Sequence, residues 1–114
     1  MKLITIDLVG TLLNRKNAIS QKIIRAIKNA QEQVTEIAIA TGRAHFNVQF
    51  LLKEAGIFAW IPGVNGATVH DKVGNLLRET SINKNQAKEI LEYFEEHDYF
   101  IATLRKLNKA SYVK

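Results

Sequence analysis

KLITIDLVGTLL, at residues 2–13, is the stretch that decides the fold of this 114-residue chain. Residues 2–6 are rich in Ile and Leu and alternate little, which is typical of a strand buried on both faces of a parallel sheet. Asp7 follows this strand at once, and Gly10 comes three residues later. Because ligands of doubly wound sheets collect at the carboxyl ends of the strands, the stretch predicts a site that begins at Asp7.

Helices and strands alternate after this stretch. Ser20 is a good helix N-cap, and Ile19 and Ile24 can form a hydrophobic staple across it. Strand, helix and strand in this order require a right-handed crossover into a parallel pair. The predicted elements are a helix from Ser20 to Gln33, a strand at 34–40, a helix ending at Gly56 and a strand at 57–64. The apolar stripe predicted for the second helix is Phe46, Phe50, Leu51 and Ala55.

The second part of the chain changes the order of its elements. Residues 67–70 and 75–79 flank a turn with Gly74 and predict a β-hairpin. Asn83 followed by Gln86 is a capping-box signature for a third helix. The apolar face predicted for this helix is Ala87, Ile90, Leu91 and Phe94, and a last hairpin is predicted between Tyr99 and Val113. The whole pattern predicts an α/β fold, a partial doubly wound parallel sheet followed by a hairpin, with domains at 1–80 and 81–114.

The composition and charge of the chain exclude several classes of protein and of binding site. With 46% hydrophobic and 24% charged residues and no Cys, the chain can bury a core and carries neither disulfides nor thiolate zinc sites. It shows no signal peptide and no apolar stretch near the roughly 18 residues of a membrane span, so a cytoplasmic location without a membrane partner is expected. The net charge of +5 suggests nucleic acid, yet Lys22, Arg25 and Lys28 are spaced as the solvated face of an amphipathic helix. No nucleic-acid partner is therefore predicted.

Three short motifs fall at the ends of predicted strands. They are DLVGTLL at residues 7–13, ATGR at 40–43 and NGA at 65–67. Each motif alone is weak, since an Asp before Gly-Thr is usually a turn residue and Thr-Gly-Arg before a helix is an ordinary loop. Their order, with one strand and helix between neighbouring motifs, makes the set much more specific.

Together these motifs resemble the Cof-type branch of the haloacid dehalogenase (HAD) superfamily. The first motif of that branch runs Asp-x-Asp-Gly-Thr-Leu-Leu, its second strand ends in Ala-Thr-Gly-Arg, and its third strand leads to Asn-Gly-Ala. The resemblance is close over residues 1–80 and looser over 81–114, which are similar to the start of the α/β cap that this branch inserts. It implies a HAD-like Rossmannoid core with an incomplete cap, and a Mg²⁺-dependent phosphomonoester phosphatase that works through an aspartyl-phosphate.

The resemblance also implies a role for each motif residue. Asp7 is the expected nucleophile and Mg²⁺ ligand, because a carboxylate beside N–H groups and a divalent cation can attack a phosphoryl group. The backbone carbonyl of Val9 is the second expected metal ligand. The other predicted site residues are Thr41, Gly42 and Arg43 on the phosphate, and Asn65 and Gly66 on the substrate side. The expected substrate is a small phosphorylated metabolite.

Departures from the family pattern lower the expected activity. The family's general acid and base, two residues after the nucleophile, is here Val9, which cannot move a proton. The family's phosphate-neutralising Lys and its acidic pair for Mg²⁺ follow the cap, beyond residue 114. We therefore expect Mg²⁺ binding to be weak or absent and the chain to be impaired or inactive, as a truncated gene product or one part of a split protein.

Two other functions stay open at this stage. Dehalogenase- and phosphonatase-like members also lack the second Asp, but they usually carry their cap between the first two motifs, where only residues 12–20 are available. A non-catalytic scaffold or oligomerisation module could keep the same fold. In the superfamily's architecture the first strand is flanked by a strand that follows the cap, so residues 3–6 should form an open edge. A homo-oligomer joined there or at the last hairpin is expected.

Overall fold

Strands and helices alternate in the computed structural model, which describes residues 1–97, 101–104 and 110–113. The first unit, Met1–Glu79, and the second unit, Thr80–Lys114, are separate compact bodies. The first contains β1 (Lys2–Asp7), α1 (Gln21–Glu32), β2 (Thr35–Ala40), α2 (His45–Ala55), β3 (Ile61–Gly63), β4 (Thr68–His70) and β5 (Leu76–Glu79). The second contains α3 (Lys84–Glu96), β6 (Ile101–Leu104) and β7 (Ala110–Val113). The α/β fold class is confirmed.

The parallel sheet of the first unit is built from β1 and β2. They pair in one register from Lys2 opposite Thr35 to Asp7 opposite Ala40. On the other side of β2, the Ile39 N–H donates to the Trp60 carbonyl at 2.8 Å, and the Trp60 N–H donates to the Ile37 carbonyl at 2.9 Å. The segment that leads into β3 therefore runs parallel to β2, and β2 lies between two neighbours.

The third strand is shorter than the predicted 57–64. Gly56 ends α2 in the left-handed conformation with φ 67°, and the Ile57 N–H still donates to the Leu52 carbonyl at 2.9 Å. Residue 57 is thus part of the helix ending, and only Ile61–Gly63 forms the strand. After β3, the backbone turns back and pairs antiparallel with β4, which pairs antiparallel with β5 as the predicted hairpin.

One connected apolar cluster forms the core of the first unit. Its largest fully buried side chains are Leu8, Leu12, Ile37, Ile39 and Val48. Leu8 and Leu12 belong to the turn after β1, so the turn itself is anchored in the core. At roughly 2 kcal/mol or more for each fully buried aliphatic side chain, this cluster is the main source of stability for the loops that surround the sheet ends.

The prediction that residues 2–6 are buried on both faces is wrong. Leu3 is 60% exposed and Ile4 46% exposed, and only Ile6 of this stretch is half-buried. The apolar pattern is that of an interior strand, but β1 pairs only with β2 within the described residues. Burial on a sheet requires neighbours on both sides and layers on both faces, which the pattern cannot itself supply.

The predicted stripe of α2 is also displaced. The buried residues of this helix are His45, Val48 and Leu52, while Phe50 is exposed. Phe46, Leu51 and Ala55 are only half-buried. The buried face of α2 thus differs from the predicted one. It includes His45, which is a polar residue and stacks on His70 of β4.

Two helix N-caps are as predicted. The Ser20 hydroxyl accepts a hydrogen bond from the Ile23 N–H at 3.3 Å, and Ile19 and Ile24 pack against the core. The Asn83 side chain accepts from the Asn85 N–H at 2.8 Å. A side-chain cap of this kind stabilises a helix by about 1 kcal/mol.

The second unit carries an uncovered helix. No residue of α3 is buried; Ala87 and Leu91 are half-buried, and Ile90 and Phe94 are exposed. Strands β6 and β7 pair antiparallel, as expected for the last hairpin. Its predicted start at Tyr99 lies outside the described residues. Among the helices that the structure describes, none is both long and apolar enough to cross a membrane.

Candidate functional site

A cleft of about 440 Å³ opens where the carboxyl ends of β1, β2 and β3 meet. Its walls are Asp7, Ala40, Thr41, Gly42, Pro62, Asn65 and Gly66. All of them except Pro62 belong to the three sequence motifs, and one helix and one strand lie between neighbouring motifs along the chain. The parallel sheet alone brings them together, because the carboxyl ends of parallel strands share one edge.

Asp7 is held at the cleft by the turn that follows it. Leu8 and Leu12 are buried, and the Leu13 N–H donates to the Leu8 carbonyl at 2.9 Å, which closes a π-type turn. Gly10 takes φ 80° inside this turn. A Cβ at Gly10 would meet no atom within 4 Å, so the left-handed backbone and not space favours glycine there. The anchored turn leaves the Asp7 side chain exposed to the cleft.

Thr41 is the buried centre of the second loop. Its N–H donates to the Pro62 carbonyl at 3.2 Å, and its carbonyl accepts from the Asn65 N–H at 3.0 Å. Its Oγ1 accepts from the Arg43 N–H at 3.0 Å. The Thr41 hydroxyl proton remains available to donate to a ligand, since that oxygen acts only as an acceptor in this bond.

Asn65 lies directly over Gly42. The Asn65 Oδ1 is 3.0 Å from the position that a Cβ on Gly42 would occupy, so the Asn65 side chain would have to shift to make room for one. Val64 and Asn65 both adopt left-handed backbone angles, with φ 50° and 54°. Such angles are unfavourable for most residues, least so for Asn, and hydrogen bonds to the Thr41 and Arg43 carbonyls hold them.

Five of the seven predicted site residues line the cleft and two do not. Asp7, Thr41, Gly42, Asn65 and Gly66 are in its walls. Arg43 is half-buried beside the cleft and contributes backbone hydrogen bonds to the loops, and Val9 is 56% exposed on the turn. The walls contain one carboxylate and neither Lys nor Arg. The described residues contain no group of three His, Cys, Asp or Glu that could hold a metal ion.

A buried histidine pair lies in the same unit and was not predicted. The rings of His45 and His70 stack with centroids 3.7 Å apart and planes 9° apart. Both nitrogens of His45 and the Nδ1 of His70 are buried without a hydrogen-bond partner. Burial lowers the pKa of both imidazoles, and the neighbouring His70 and Lys53 lower the pKa of His45 further. The sequence holds no signal for this pairing, because 24 residues separate the two positions.

A known protein family matches nearly the whole chain. A model of the haloacid dehalogenase-like hydrolases matches residues 4–114. Phosphatase YwpJ of Bacillus subtilis (strain 168) is 42% identical over 100 residues, which cover 88% of this chain and 35% of that protein. The 5-amino-6-(5-phospho-D-ribitylamino)uracil phosphatase YwtE of the same organism is 41% identical over 93 residues, or 82% of this chain and 32% of that protein.

Solved structures agree with this match. A haloacid dehalogenase-like hydrolase from B. subtilis superposes with a TM-score of 0.83 at 39% identity, over 91% of this chain and 38% of that one. BT1666 from Bacteroides thetaiotaomicron, a phosphatase of the HAD superfamily, superposes with a TM-score of 0.80 at 26% identity, over 95% and 40% of the two chains. The chain thus spans about a third of the length of the curated relatives it matches.

Proposed function

The chain belongs to the haloacid dehalogenase-like hydrolases, and from this membership we propose that its cleft is a phosphomonoester phosphatase site with Asp7 as the nucleophile. The observation that carries the proposal is the convergence of Asp7, Thr41, Gly42 and Asn65 on one cleft of about 440 Å³. A small phosphorylated metabolite is the proposed substrate class. Relatives are named as phosphatases of a phosphoribitylamino-uracil and of HMP-PP, both of which fit that class.

The proposed first step is attack by Asp7 on phosphorus. A new bond forms between a carboxylate oxygen and phosphorus, the ester P–O bond breaks, and the leaving oxygen departs with the electron pair of that bond. In the second step, water attacks the aspartyl-phosphate and releases phosphate and free Asp7. The exposed position of Asp7 at the strand end gives the substrate access to the carboxylate.

The second loop is the proposed phosphate cradle. The Thr41 hydroxyl and the Gly42 N–H donate to phosphate oxygens just before α2, where the helix dipole also favours negative charge. Gly42 has no side chain, which lets both a phosphate and the Asn65 side chain approach its backbone. Arg43 adds positive charge beside this cradle, and Asn65 and Gly66 contact the remainder of the substrate.

Mg²⁺ is the proposed cofactor, bound weakly. The side chain of Asp7 and the backbone carbonyl of Val9 would supply two oxygen ligands, and Mg²⁺ sites commonly combine one or two carboxylates with water and substrate oxygens. The cleft has one carboxylate, so we expect its affinity for Mg²⁺ to be low compared with that of sites that have two. When bound, the ion would neutralise charge that develops on the transferring phosphoryl group.

Val9 is one of two proposed causes of impairment, and the other is the charge of the cleft walls, which hold one carboxylate and neither Lys nor Arg. A valine can neither protonate the leaving oxygen nor take a proton from the attacking water, and a general acid or base is worth about 10²- to 10⁴-fold in rate. The site should therefore favour phosphate esters whose leaving groups need no proton. It should also hold the aspartyl-phosphate longer than a site that carries both carboxylates.

The test compares an aryl with an alkyl phosphomonoester in the presence and absence of Mg²⁺. We expect slow Mg²⁺-stimulated hydrolysis of p-nitrophenyl phosphate, much slower hydrolysis of glycerol phosphate, and loss of both in Asp7→Asn. Glu54→Gln is the matched control, because it removes an exposed carboxylate of α2 outside the cleft. Hydrolysis that persists in Asp7→Asn would refute the assignment of the nucleophile.

A second candidate function is favoured by the exposed first strand. Among the described residues β1 pairs only with β2, and a strand with one unpaired side supports a scaffold or oligomerisation role in which the chain self-associates. The last hairpin offers a second strand pair that could take part. Absence of any turnover in the assay, together with a concentration-dependent molecular mass, would support this function over the phosphatase.

A further inference from the structure

Two buried histidines join the start of α2 to the hairpin of β4 and β5. His45 and His70 are 8% and 7% exposed, and their rings stack face to face with centroids 3.7 Å apart. Both nitrogens of His45 and the Nδ1 of His70 have no hydrogen-bond partner. A buried polar group without a partner costs free energy, so two apolar side chains would serve stability better. This pair, the histidine stack, therefore needs an explanation other than packing.

The histidine stack lies where two segments of the candidate site are attached to the first unit. His45 is the first residue of α2 and directly follows residues 41–44, which contain the proposed phosphate cradle. His70 pairs with Ile61 of β3, and β3 leads into the third loop at residues 64–66. One ring thus belongs to the helix that continues the cradle, and the other belongs to the strand beside the third loop.

Backbone hydrogen bonds join these two segments to each other. The Thr41 N–H donates to the Pro62 carbonyl at 3.2 Å, and the Asn65 N–H donates to the Thr41 carbonyl at 3.0 Å. The Val64 N–H donates to the Arg43 carbonyl at 3.0 Å. The cradle, α2, the histidine stack, β4, β3 and the third loop therefore form a closed circuit of contacts. A movement of α2 away from β4 would strain the three bonds.

We propose that the histidine stack is a pH-sensitive switch for the candidate site: two neutral rings hold the cradle and the third loop together, and protonation separates the rings and loosens both loops. The proposal rests on the phosphatase function proposed above for the ligand of the cradle. The step itself is the gain of one proton by an imidazole nitrogen, and no other covalent bond changes. Histidine suits such a step because its charge changes between about pH 5 and 8.

Two charged residues of the described chain act on the rings and decide which is protonated first. Burial lowers the pKa of both imidazoles, and His70 and Lys53 of α2 lower the pKa of His45 further. Asp71, next to His70, raises the pKa of His70 and so opposes burial. His70 should therefore take up the first proton. Because a buried charge without a partner is unfavourable, the charged ring should move toward water and the Asp71 carboxylate.

The other neighbours of the histidine stack do not balance a charge on it. β3, which pairs with β4, has no titratable side chain. Lys72, in the turn after β4, is paired with Glu36 of β2 at 2.9 Å. At Gly74 of the same turn, a Cβ would lie 3.7 Å from the His45 Nε2, so turn backbone lies beside this nitrogen. Of these neighbours, only Asp71 offers a protonated ring a compensating charge.

Amide hydrogen exchange tests whether acid loosens the loops before the whole unit unfolds. We expect the protection factors of Val64 and Asn65 to fall from pH 7.5 to 5.5, by about tenfold for each unit of pKa difference between stacked and separated rings. The reference is the Ile39 amide, which donates to the Trp60 carbonyl at 2.8 Å in the sheet. At pH 5.5 the two loop amides should exchange without dependence on low urea concentrations, whereas exchange at Ile39 should accelerate with urea, because loop release exposes little surface.

Sulfate binding tests the connection between the histidine stack and the cradle. Sulfate keeps its charge over this pH range, and its binding can be followed by the NMR shift of the Gly42 amide. Protonated histidines add positive charge, so electrostatics alone predicts tighter binding in acid. The switch predicts the opposite. The dissociation constant should be at least about twofold higher at pH 5.5, the value for a cradle whose binding-competent form is half populated.

Substitutions of the titrating groups separate the switch from other effects of acid. His70→Phe keeps an aromatic ring in the stack but cannot take up a proton, so sulfate should bind no more weakly at pH 5.5 than at pH 7.5. His97→Phe, at the exposed end of α3, is the matched control and should keep the weaker binding in acid. Asp71→Asn provides a second test if His70→Phe does not fold. Without the Asp71 charge, the loops should loosen only at lower pH.

Each outcome decides a different part of the proposal. Protection of Val64 and Asn65 that is unchanged by acid, or that depends on urea as Ile39 does, would refute the switch. An unaltered acid response in both His70→Phe and Asp71→Asn would also refute it. Failure of sulfate to shift the Gly42 amide at either pH would refute the proposed cradle. The exchange of the loop amides would still decide whether the histidine stack controls the loops.

Discussion

Strands β1 and β2 pair over six residues in one register, yet their side chains lie in opposite environments. Ile39 of β2 is fully buried, whereas Ile4 of β1 is 46% exposed. Both strands are apolar, so composition does not explain the difference. β2 has neighbours on both sides and its Ile37 and Ile39 belong to the core cluster, while β1 has one neighbour in the described residues. Apolar residues make burial favourable, but the surrounding elements decide whether it occurs.

The residues at the carboxyl ends of these two strands also differ in burial. Asp7, at the end of β1, is exposed and available to a substrate. Thr41, just after β2, is buried and fixed by hydrogen bonds to the β3 loops. An exposed reactant and a binding loop that is fixed by hydrogen bonds can therefore share one cleft. The predictions below test how far the two strands differ.

The largest expected effect on stability comes from truncating a buried isoleucine of β2. Ile39→Ala should lower the free energy of unfolding by about 2–5 kcal/mol, the usual cost of a cavity in a core. Ile4→Ala should cost less than about 1 kcal/mol, because much of that side chain is already in water. Urea unfolding at low protein concentration, where self-association is negligible, measures both. Equal losses would show that β1 is buried as its sequence pattern suggests.

Gly42→Ala should have the next largest effect, at the loop after the buried strand. The new Cβ would lie 3.0 Å from the Asn65 Oδ1, and relieving such a contact should cost about 1 kcal/mol or more. Weak sulfate or phosphate binding, followed by NMR shifts of the loop amides, should also be lost. In the double variant with Asn65→Gly, which removes the side chain and tolerates the left-handed backbone at φ 54°, the stability should recover. If it does not, the contact between Gly42 and Asn65 is not the cause.

Acid should weaken the first unit through the stacked histidines. The folded-state pKa values of His45 and His70 are lowered by burial, below the value near 6.5 expected in the unfolded chain. The unfolded chain therefore takes up protons first, and the free energy of unfolding falls as the pH decreases below about 6.5. Asp71 opposes this for His70, while Lys53 reinforces it for His45.

Thermal unfolding between pH 7.5 and 5 tests this acid sensitivity. We expect the midpoint temperature to fall with pH, and the fall to be smaller in His70→Phe, which keeps an aromatic ring in the stack but removes one titrating group. His97→Phe is the control, because His97 is exposed at the end of α3. An unchanged pH dependence in His70→Phe would exclude the buried pair as its cause.

A smaller effect on stability is expected for Glu36 of β2, which contacts Lys72 in the turn between β4 and β5. Glu36 accepts hydrogen bonds from Trp60 at 3.0 Å and from Lys72 at 2.9 Å, and these bonds lower its pKa. Glu36→Gln should lower the denaturation midpoint only slightly, because the pair is open to solvent and screened. The midpoint shift should shrink in high salt. A shift that is unaffected by salt would assign the effect to packing of Trp60.

Val9→Asp should have almost no effect, although it restores the acid of the family motif. Residue 9 is exposed, so stability should not change measurably. We also expect no gain in hydrolysis, because the cleft walls hold no Lys or Arg to balance a second carboxylate. A rise of about 10²-fold or more, the usual worth of a general acid, would show that the missing charges come from elsewhere, such as a second subunit.

The sequence by itself determined the order of elements and the motifs. Ser20 and Gly56 are correct helix boundaries because capping is a local interaction between neighbouring residues. The three motifs were identifiable because each lies within a few residues. Their meeting at one edge could also be inferred, since strands joined by right-handed crossovers must run parallel.

Only the tertiary structure decided which apolar segments are buried and which polar ones turn inward. The exposure of Leu3, the inward rotation of His45 and its stack on His70 all depend on contacts between distant residues. The approach of Asn65 to Gly42 is of the same kind. The apolar pattern of a helix or strand shows which of its faces favours burial. Whether that face is buried depends on which other element packs against it, and this is decided only when the chain has folded.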